Sequence, residues 1–216
     1  MKQHYYFSKY HGLGNDFIII DAIGQRIDED LIRAEASLLC SRHTGIGADG
    51  IILVLESSEC DLKMKIFNKD GTCPEMCGNG LRCFARFAFE QKLIEKELFS
   101  VETDAGKMLP GLLLKEGVIQ GVEVDMGPPQ EDIQRETIDF EGSEVVLYSV
   151  SMGNPHAVIF VDSFDDIDLD RIGSFLQTHA LFPEGVNVEL VQLDSATHIK
   201  VVVWERGVGK TLACGT

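Results

Sequence analysis

The feature that most restricts the fold of this 216-residue chain is a series of motifs that occurs twice in the same order. The first half has Gly14-Asn15-Asp16, the apolar run Phe17-Ile18-Ile19-Ile20, then Asp21. The second has Gly153-Asn154-Pro155-His156, the run Ala157-Val158-Ile159-Phe160-Val161, then Asp162. Each reads as a loop feeding a buried strand. Asp28-Glu29-Asp30-Leu31 opens a helical pattern that reaches Leu38-Leu39 and ends near His43. Its counterpart, Asp166-Ile167-Asp168-Leu169, reaches Phe175-Leu176 and ends near His179. Acidic residues suit the positive end of a helix. Strands follow at Ile51–Val54 and Val186–Val191, then at Met64–Asn68 and Val201–Glu205, and each half arrives at a Cys-Gly pair. Asn15 to Cys77 is 62 residues and Asn154 to Cys214 is 60, while Asn68 to Cys77 and Glu205 to Cys214 are both 9. Order and spacing together predict two homologous α/β halves related by a pseudo-twofold axis. The join is expected near Val118–Gly121, before the strand Val122-Glu123-Val124-Asp125, which gives an N-terminal half 1–119 carrying Cys77 and a C-terminal half 120–216 carrying Cys214.

Bulk properties exclude several classes of function. No stretch approaches the roughly 20 apolar residues of a membrane span, and Met1–Gly12 has no apolar core of a signal peptide. The formal charge of −16 argues against a nucleic-acid or anionic-membrane surface, which needs clustered Lys and Arg. A small anionic substrate stays open, because it responds to local groups. The six cysteines, at 40, 60, 73, 77, 83 and 214, are expected to be free thiols in a reducing cytoplasm.

Two of these cysteines stand apart by position. After Cys77-Gly78-Asn79-Gly80 comes Leu81–Glu90, in which Arg82, Arg86 and Glu90 fall on one narrow stripe and the rest is apolar. Such a segment is a helix buried through the centre of its half. Cys83 lies inside it and reads as packing, as do Cys40 and Cys60; Cys73 reads as a loop residue. A zinc site from Cys73, Cys77 and Cys83 lacks a C-x-x-C pair. The loop Gly45–Gly50 lacks the Lys-Ser/Thr of a P-loop and leads into a strand, so it reads as a tight turn. His156, following Asn-Pro at a strand entrance, reads either as a satisfied polar residue or as a site residue.

Cys77 is at the helix entrance, where unpaired N–H groups and the dipole stabilise a thiolate and lower its pKa from about 8.5 towards neutrality. The same N–H groups, approached closely past glycine, can hold a carboxylate. Cys214-Gly215-Thr216 offers the same arrangement. A pseudo-twofold axis is expected to bring both helix starts to a central cleft, with the two sulfurs on opposite faces of one substrate carbon. One removes the α-proton and the other returns a proton, which inverts the centre. The helix starts stabilise the charge that develops on the carboxylate.

With these residues in hand, the chain resembles the diaminopimelate epimerases. The resemblance runs from Phe7 to Thr216. It is carried by His11-Gly12-Leu13-Gly14-Asn15-Asp16-Phe17, Arg42–Gly50, Phe67-Asn68-Lys69-Asp70-Gly71, Met76–Cys83, Met152–His156, and Glu205–Gly209 with Ala213-Cys214-Gly215-Thr216. It implies an α/β (α+β) fold of two pseudo-symmetric halves, each a curved, mainly antiparallel sheet wrapped around a central buried helix. It also implies interconversion of LL- and meso-diaminopimelate in lysine and peptidoglycan precursor synthesis, without pyridoxal phosphate or metal, by a cytoplasmic enzyme for which a homodimer is the family-level expectation. Cys77 and Cys214 then match the acid–base cysteines, and His156 and Glu205 the polar residues that assist them. Asn15, Asn68, Asn154, Asn187, Glu205 and Arg206 match substrate-binding groups. Gly78-Asn79 and Gly215-Thr216 match the backbone cradle for a carboxylate. Arg206 with the asparagines suits the distal carboxylate, and Glu205 with amide oxygens suits its ammonium.

Two positions depart from the family pattern. Some members have Gln where Gly50 stands, and Glu is common where Lys210 stands. The first half continues about 41 residues past Cys77, to near Val118, whereas the second stops two residues past Cys214. The expectation is therefore that the sequence is part of a longer chain, with an intact mass above 23.9 kDa. Two other functions compete: a proline-racemase-like enzyme acting on another amino acid, and a non-catalytic thiol switch or binding protein. A substrate panel separates the first. The second predicts no exchange of an α-proton with solvent.

Overall fold

The computed structural model describes residues 4–130, 132–212 and 214, which form two compact units dividing between Met126 and Gly127. The fold is α+β. The first unit contains β1 (Ser8–Gly12), β2 (Asn15–Asp21), α1 (Glu29–Leu39), β3 (Gly50–Leu55), β4 (Leu62–Asn68), α2 (Gly78–Glu90), β5 (Val101–Thr103), β6 (Gly106–Met108), β7 (Pro110–Lys115) and β8 (Val118–Val124). The first six strands make one sheet in sequence order, antiparallel except for β2–β3 and β4–β5. The two parallel pairs are those whose connections carry α1 and α2, as parallel neighbours require a crossover.

Strands β2 and β3 are apolar at every central position because both faces of this sheet are covered. Phe17, Ile19, Ile52 and Val54 face α2, packing with Leu81, Phe84, Phe87 and Ala88. Ile18, Ile20, Ile51 and Leu53 face the other way and pack with Ile32 and Ala36 of α1. Full burial of a Leu or Phe stabilises the fold by about 1.5–3 kcal/mol, so α2, with Leu81 and Phe84 fully buried, anchors this unit. The β7–β8 hairpin packs against α2. The segment Val122–Val124, which the sequence reading assigns to the second half, therefore pairs within the first unit, opposite Pro110–Leu112.

The second unit contains β9 (Gln134–Phe140), β10 (Ser143–Ser151), β11 (Pro155–Phe160), α3 (Leu169–Leu176), β12 (Asn187–Ser195), β13 (His198–Glu205) and β14 (Gly209–Thr211). Its sheet runs β9 to β14 in order and is antiparallel except at β11–β12, the crossover that carries α3. The path β1-β2-α1-β3-β4 is thus repeated as β10-β11-α3-β12-β13. The repeat extends to details. Asp28 and Asp168 cap α1 and α3 by accepting from first-turn N–H groups. The loops entering β2 and β11 turn on Gly14 and Gly153, at φ of 89° and 93°. In register, Phe17 lies opposite Gly50 and Gly50 opposite Asn68; likewise His156 lies opposite Asn187, which precedes the pair Val188–Trp204. Ile199 and Val201 therefore correspond to Leu62 and Met64. The first pair is exposed, whereas the second is buried with α2. No helix of the described residues is long and apolar enough to cross a membrane.

Candidate active site

In the first unit the helix start is built as its sequence demands. Cys77 is the N-cap of α2, in an extended conformation, and its sulfur accepts from the Gly80 N–H at 3.3 Å. The same sulfur donates to Asn15 Oδ1 at 3.7 Å. The first bond favours an anionic sulfur and the second a protonated one, so the surroundings accommodate both states that an acid–base group must visit. Gly78, Asn79 and Gly80 are all buried. A methyl group on Gly80 would lie 3.2 Å from Ile52 Cδ1, and one on Gly12 would lie 3.1 Å from the Asn79 carbonyl oxygen. These glycines let the helix start sit directly on the sheet. Asn79 is oriented by Arg82, whose Nη2 donates to its Oδ1.

Asn15 is held in turn. Its Nδ2 donates to Asp49 Oδ2 at 3.1 Å, and the Asp16 N–H reaches the same oxygen at 3.0 Å. Arg42 spans Asp16 and Asp49, and Lys9 approaches Asp16 at 3.0 Å. Burial opposes the charge on Asp16, but the hydrogen bonds from Arg42 and Lys9 outweigh it and hold its carboxyl well below the usual range. Asn68, at the end of β4, directs its amide to Thr72 Oγ1 at 3.0 Å.

Two other cysteines of this unit, Cys83 and Cys40, are buried. Burial pushes the thiol of Cys83, inside α2, up to about 11. Burial and then the charge of Asp49 do the same to Cys40, also to about 11. Both are packing thiols, as their positions in the sequence suggest.

In the second unit His156 and Asn187 are buried at the ends of β11 and β12 that correspond to Phe17 and Gly50. His156 Nε2 lies 3.0 Å from Asn154 Oδ1 and its Nδ1 lies 2.8 Å from Glu189 Oε1. Reactive atoms of His156, Glu189 and Cys214 lie within 4.8 Å of one another. Because Nδ1 and Oε1 are engaged with each other, the trio reads as an acid–base group around the sulfur rather than as a set of metal ligands. Asn187 donates to the Pro155 carbonyl at 3.2 Å and accepts the Arg206 N–H at 2.9 Å. The Arg206 guanidinium donates to the Glu184 carbonyl at 3.3 Å. Glu205 is buried and accepts from Thr211 Oγ1 at 2.8 Å. Gly215 and Thr216, the expected second half of the carboxylate cradle, lie outside the described residues.

Glu189 is the residue that sequence reading missed. Its one signal is an acid inside the buried run Val186–Val191, a place where a carboxylate needs a partner. The two departures from the family pattern also find their places. A Cβ on Gly50 would stand 2.7 Å from the Phe67 carbonyl oxygen, so this backbone leaves no room for a glutamine there. Lys210 is exposed on β14.

The chain matches the family model described as diaminopimelate epimerase over residues 7–131 and 148–216. Among its relatives, the diaminopimelate epimerase of Desulforapulum autotrophicum is 45% identical, with 97% of this chain and 79% of that one covered. That of Pelotomaculum thermopropionicum is 41% identical (98% and 80%), and that of Methanothermobacter thermautotrophicus 43% (97% and 78%). Among solved structures, a probable proline racemase from Agrobacterium radiobacter has the same fold, at a TM-score of 0.71 and 16% identity, covering 97% of this chain and 73% of the other. A PhzF-family phenazine biosynthesis protein from Bacillus anthracis gives 0.65 at 18% identity, covering 98% and 75%.

Proposed function

Since the chain belongs to the diaminopimelate epimerase family, we propose that it epimerises LL-diaminopimelate to the meso form, as a cytoplasmic enzyme of lysine and peptidoglycan precursor synthesis. The observation that carries this reading is the repeated placement of a cysteine. Cys77 caps α2 with a backbone N–H on its sulfur, and Cys214, at the matching point of the repeat, has His156 and Glu189 beside it.

In this reading one sulfur, as thiolate, takes the α-proton and becomes a thiol. The other, as thiol, delivers its proton to the opposite face of the same carbon and becomes a thiolate. No electrons leave the system and no cofactor is required. The charge of the intermediate spreads onto the α-carboxylate, where the N–H groups of Gly78-Asn79, and of Gly215-Thr216, stabilise it. Asn15 positions Cys77, and His156 and Glu205 assist the reacting centre. Asn68, Asn154, Asn187, Glu205 and Arg206 bind the distal amino-acid group. A buried clamp of this kind rejects substrates without that group, since its polar atoms would lose their partners.

Incubation with diaminopimelate in D₂O tests the proposal. Deuterium is expected at one α-carbon, and Cys77→Ser and Cys214→Ser are each expected to lose nearly all turnover. Full turnover in either variant overturns the two-base assignment. The likeness of fold to a proline racemase keeps a second substrate class in view. Exchange with proline and none with diaminopimelate would select it.

A further inference from the structure

We propose that Glu189 is a positioning residue for the reaction: it fixes the His156 ring so that Nε2 exchanges a proton with Cys214, making the two cysteines chemically unlike despite the repeat. This rests on the two-cysteine reading above. In the first unit the two register positions beside the helix start are apolar. Phe17 on β2 and Ile52 on β3 are buried in one cluster, and Ile52 lies under Gly80. The corresponding positions of the second unit are His156 on β11 and Glu189 on β12. An apolar contact in one half is therefore a hydrogen-bonded imidazole–carboxylate pair in the other, 2.8 Å apart, with side chains only 4% and 10% exposed.

Such a pair is costly to bury unless it is well matched. The neighbours of Glu189 on the adjacent strands are Val158 and Val203, and its Oε2 has no hydrogen-bond partner among the described residues. His156 is thus its compensating group. An ionised carboxylate only accepts, so Nδ1 carries a hydrogen and Nε2 is left as the ring atom that gains or loses a proton. Asn154 Oδ1, 3.0 Å from Nε2, accepts from that atom when it carries the proton. In the transfer, the Cys214 sulfur gives its proton to Nε2, leaving a thiolate beside an imidazolium that Glu189 stabilises. Glu205 on β13 is engaged by Thr211, β10 presents Val150 opposite His156, and the charges of α3, Asp170 and Arg171, are exposed.

The test is Glu189→Gln in the full chain, which keeps an acceptor for Nδ1 and removes the charge. Iodoacetamide alkylation is followed against pH, cysteine by cysteine, by mass spectrometry. Below the midpoint, Cys214 is expected to react about tenfold more slowly than in wild type, one unit of midpoint shift, while Cys77 is unchanged; Glu189→Asp restores most of the rate. Unchanged or faster labelling of Cys214 overturns the proposal. Should the Gln variant not fold, nitrogen NMR of the wild-type ring decides. The neutral form is expected with hydrogen on Nδ1, and hydrogen on Nε2 overturns the assignment. Absence of deuterium exchange by wild type would sink the epimerase reading and leave these two measurements standing.

Discussion

Asn15 and Cys77, 62 residues apart, meet in the first unit: the thiol donates to the amide oxygen at 3.7 Å while the amide nitrogen donates to Asp49 at 3.1 Å. One side chain thus ties the capping sulfur of α2 to the loop before β3. Asn15→Ala removes both bonds and leaves a partly buried carboxylate oxygen of Asp49 with one donor fewer. The expected cost is about 1–3 kcal/mol of stability in urea unfolding, with a larger fall in kcat than in KM, because the residue acts on the sulfur. A variant with wild-type stability and kcat would show that the link is incidental.

The charges behind Asn15 make the stability of this unit depend on pH. Asp16 is held below its unfolded value, so its contribution is present above about pH 4 and is lost as pH falls through the folded value. Arg42→Gln removes the main group that lowers it. The variant is expected to be less stable than wild type at pH 7, with the difference narrowing below about pH 4. Urea titrations at pH 7 and pH 3 measure this, and a difference that stays constant between them contradicts the assignment.

Thiol reactivity separates the packing cysteines from the others. Cys40 and Cys83, pushed to about 11 by burial, are expected to be alkylated last in native protein at pH 8. Cys77 and the exposed Cys73 should be labelled well before them. Labelling of Cys83 as early as Cys77 would mean that the interior of α2 is open to solvent.

Much of this was legible without coordinates because it depends on local chemistry. Asp28 and Asp168 are cap-type residues before apolar periodic segments, Cys77 stands at the entrance of another, and all three cap helices. The doubled order of motifs corresponds to a doubled order of strands. What could not be read depends on register. Glu189 lies 33 residues from His156, and only the diagonal across a parallel strand pair brings them together. The Val118–Val124 strand resembles the opening of a second half, but its partner is chosen by a hairpin with β7. Gly50 looks like one more loop glycine until the Phe67 carbonyl is placed beside it.

That crowding predicts the effect of restoring a side chain. Gly50→Ala places a Cβ 2.7 Å from a backbone oxygen of the neighbouring strand, which cannot rotate away. The β3–β4 pairing at Gly50–Asn68 must open, at a cost of about 1–3 kcal/mol. Asn68 is displaced with it, so KM for diaminopimelate is expected to rise. Wild-type stability in this variant would show that the strand end yields freely.

The second unit carries its own reporter. Trp204, the chain's one tryptophan, packs against Gly173 of α3 so closely that a Cβ there would lie 2.5 Å from Cδ2 of the indole. Gly173→Ala must therefore push the ring off the helix. The expected cost is about 1–3 kcal/mol, with a red-shifted emission as the indole gains contact with water. Because Trp204 adjoins Glu205 and pairs with Val188 beside Asn187, the displacement should reach the proposed distal-group contacts and weaken substrate binding. The unfolding transition seen by Trp204 fluorescence should move to lower urea, while labelling of Cys83 in the first unit keeps its wild-type rate. An unchanged fluorescence midpoint would mean that α3 can retreat from the sheet at no cost.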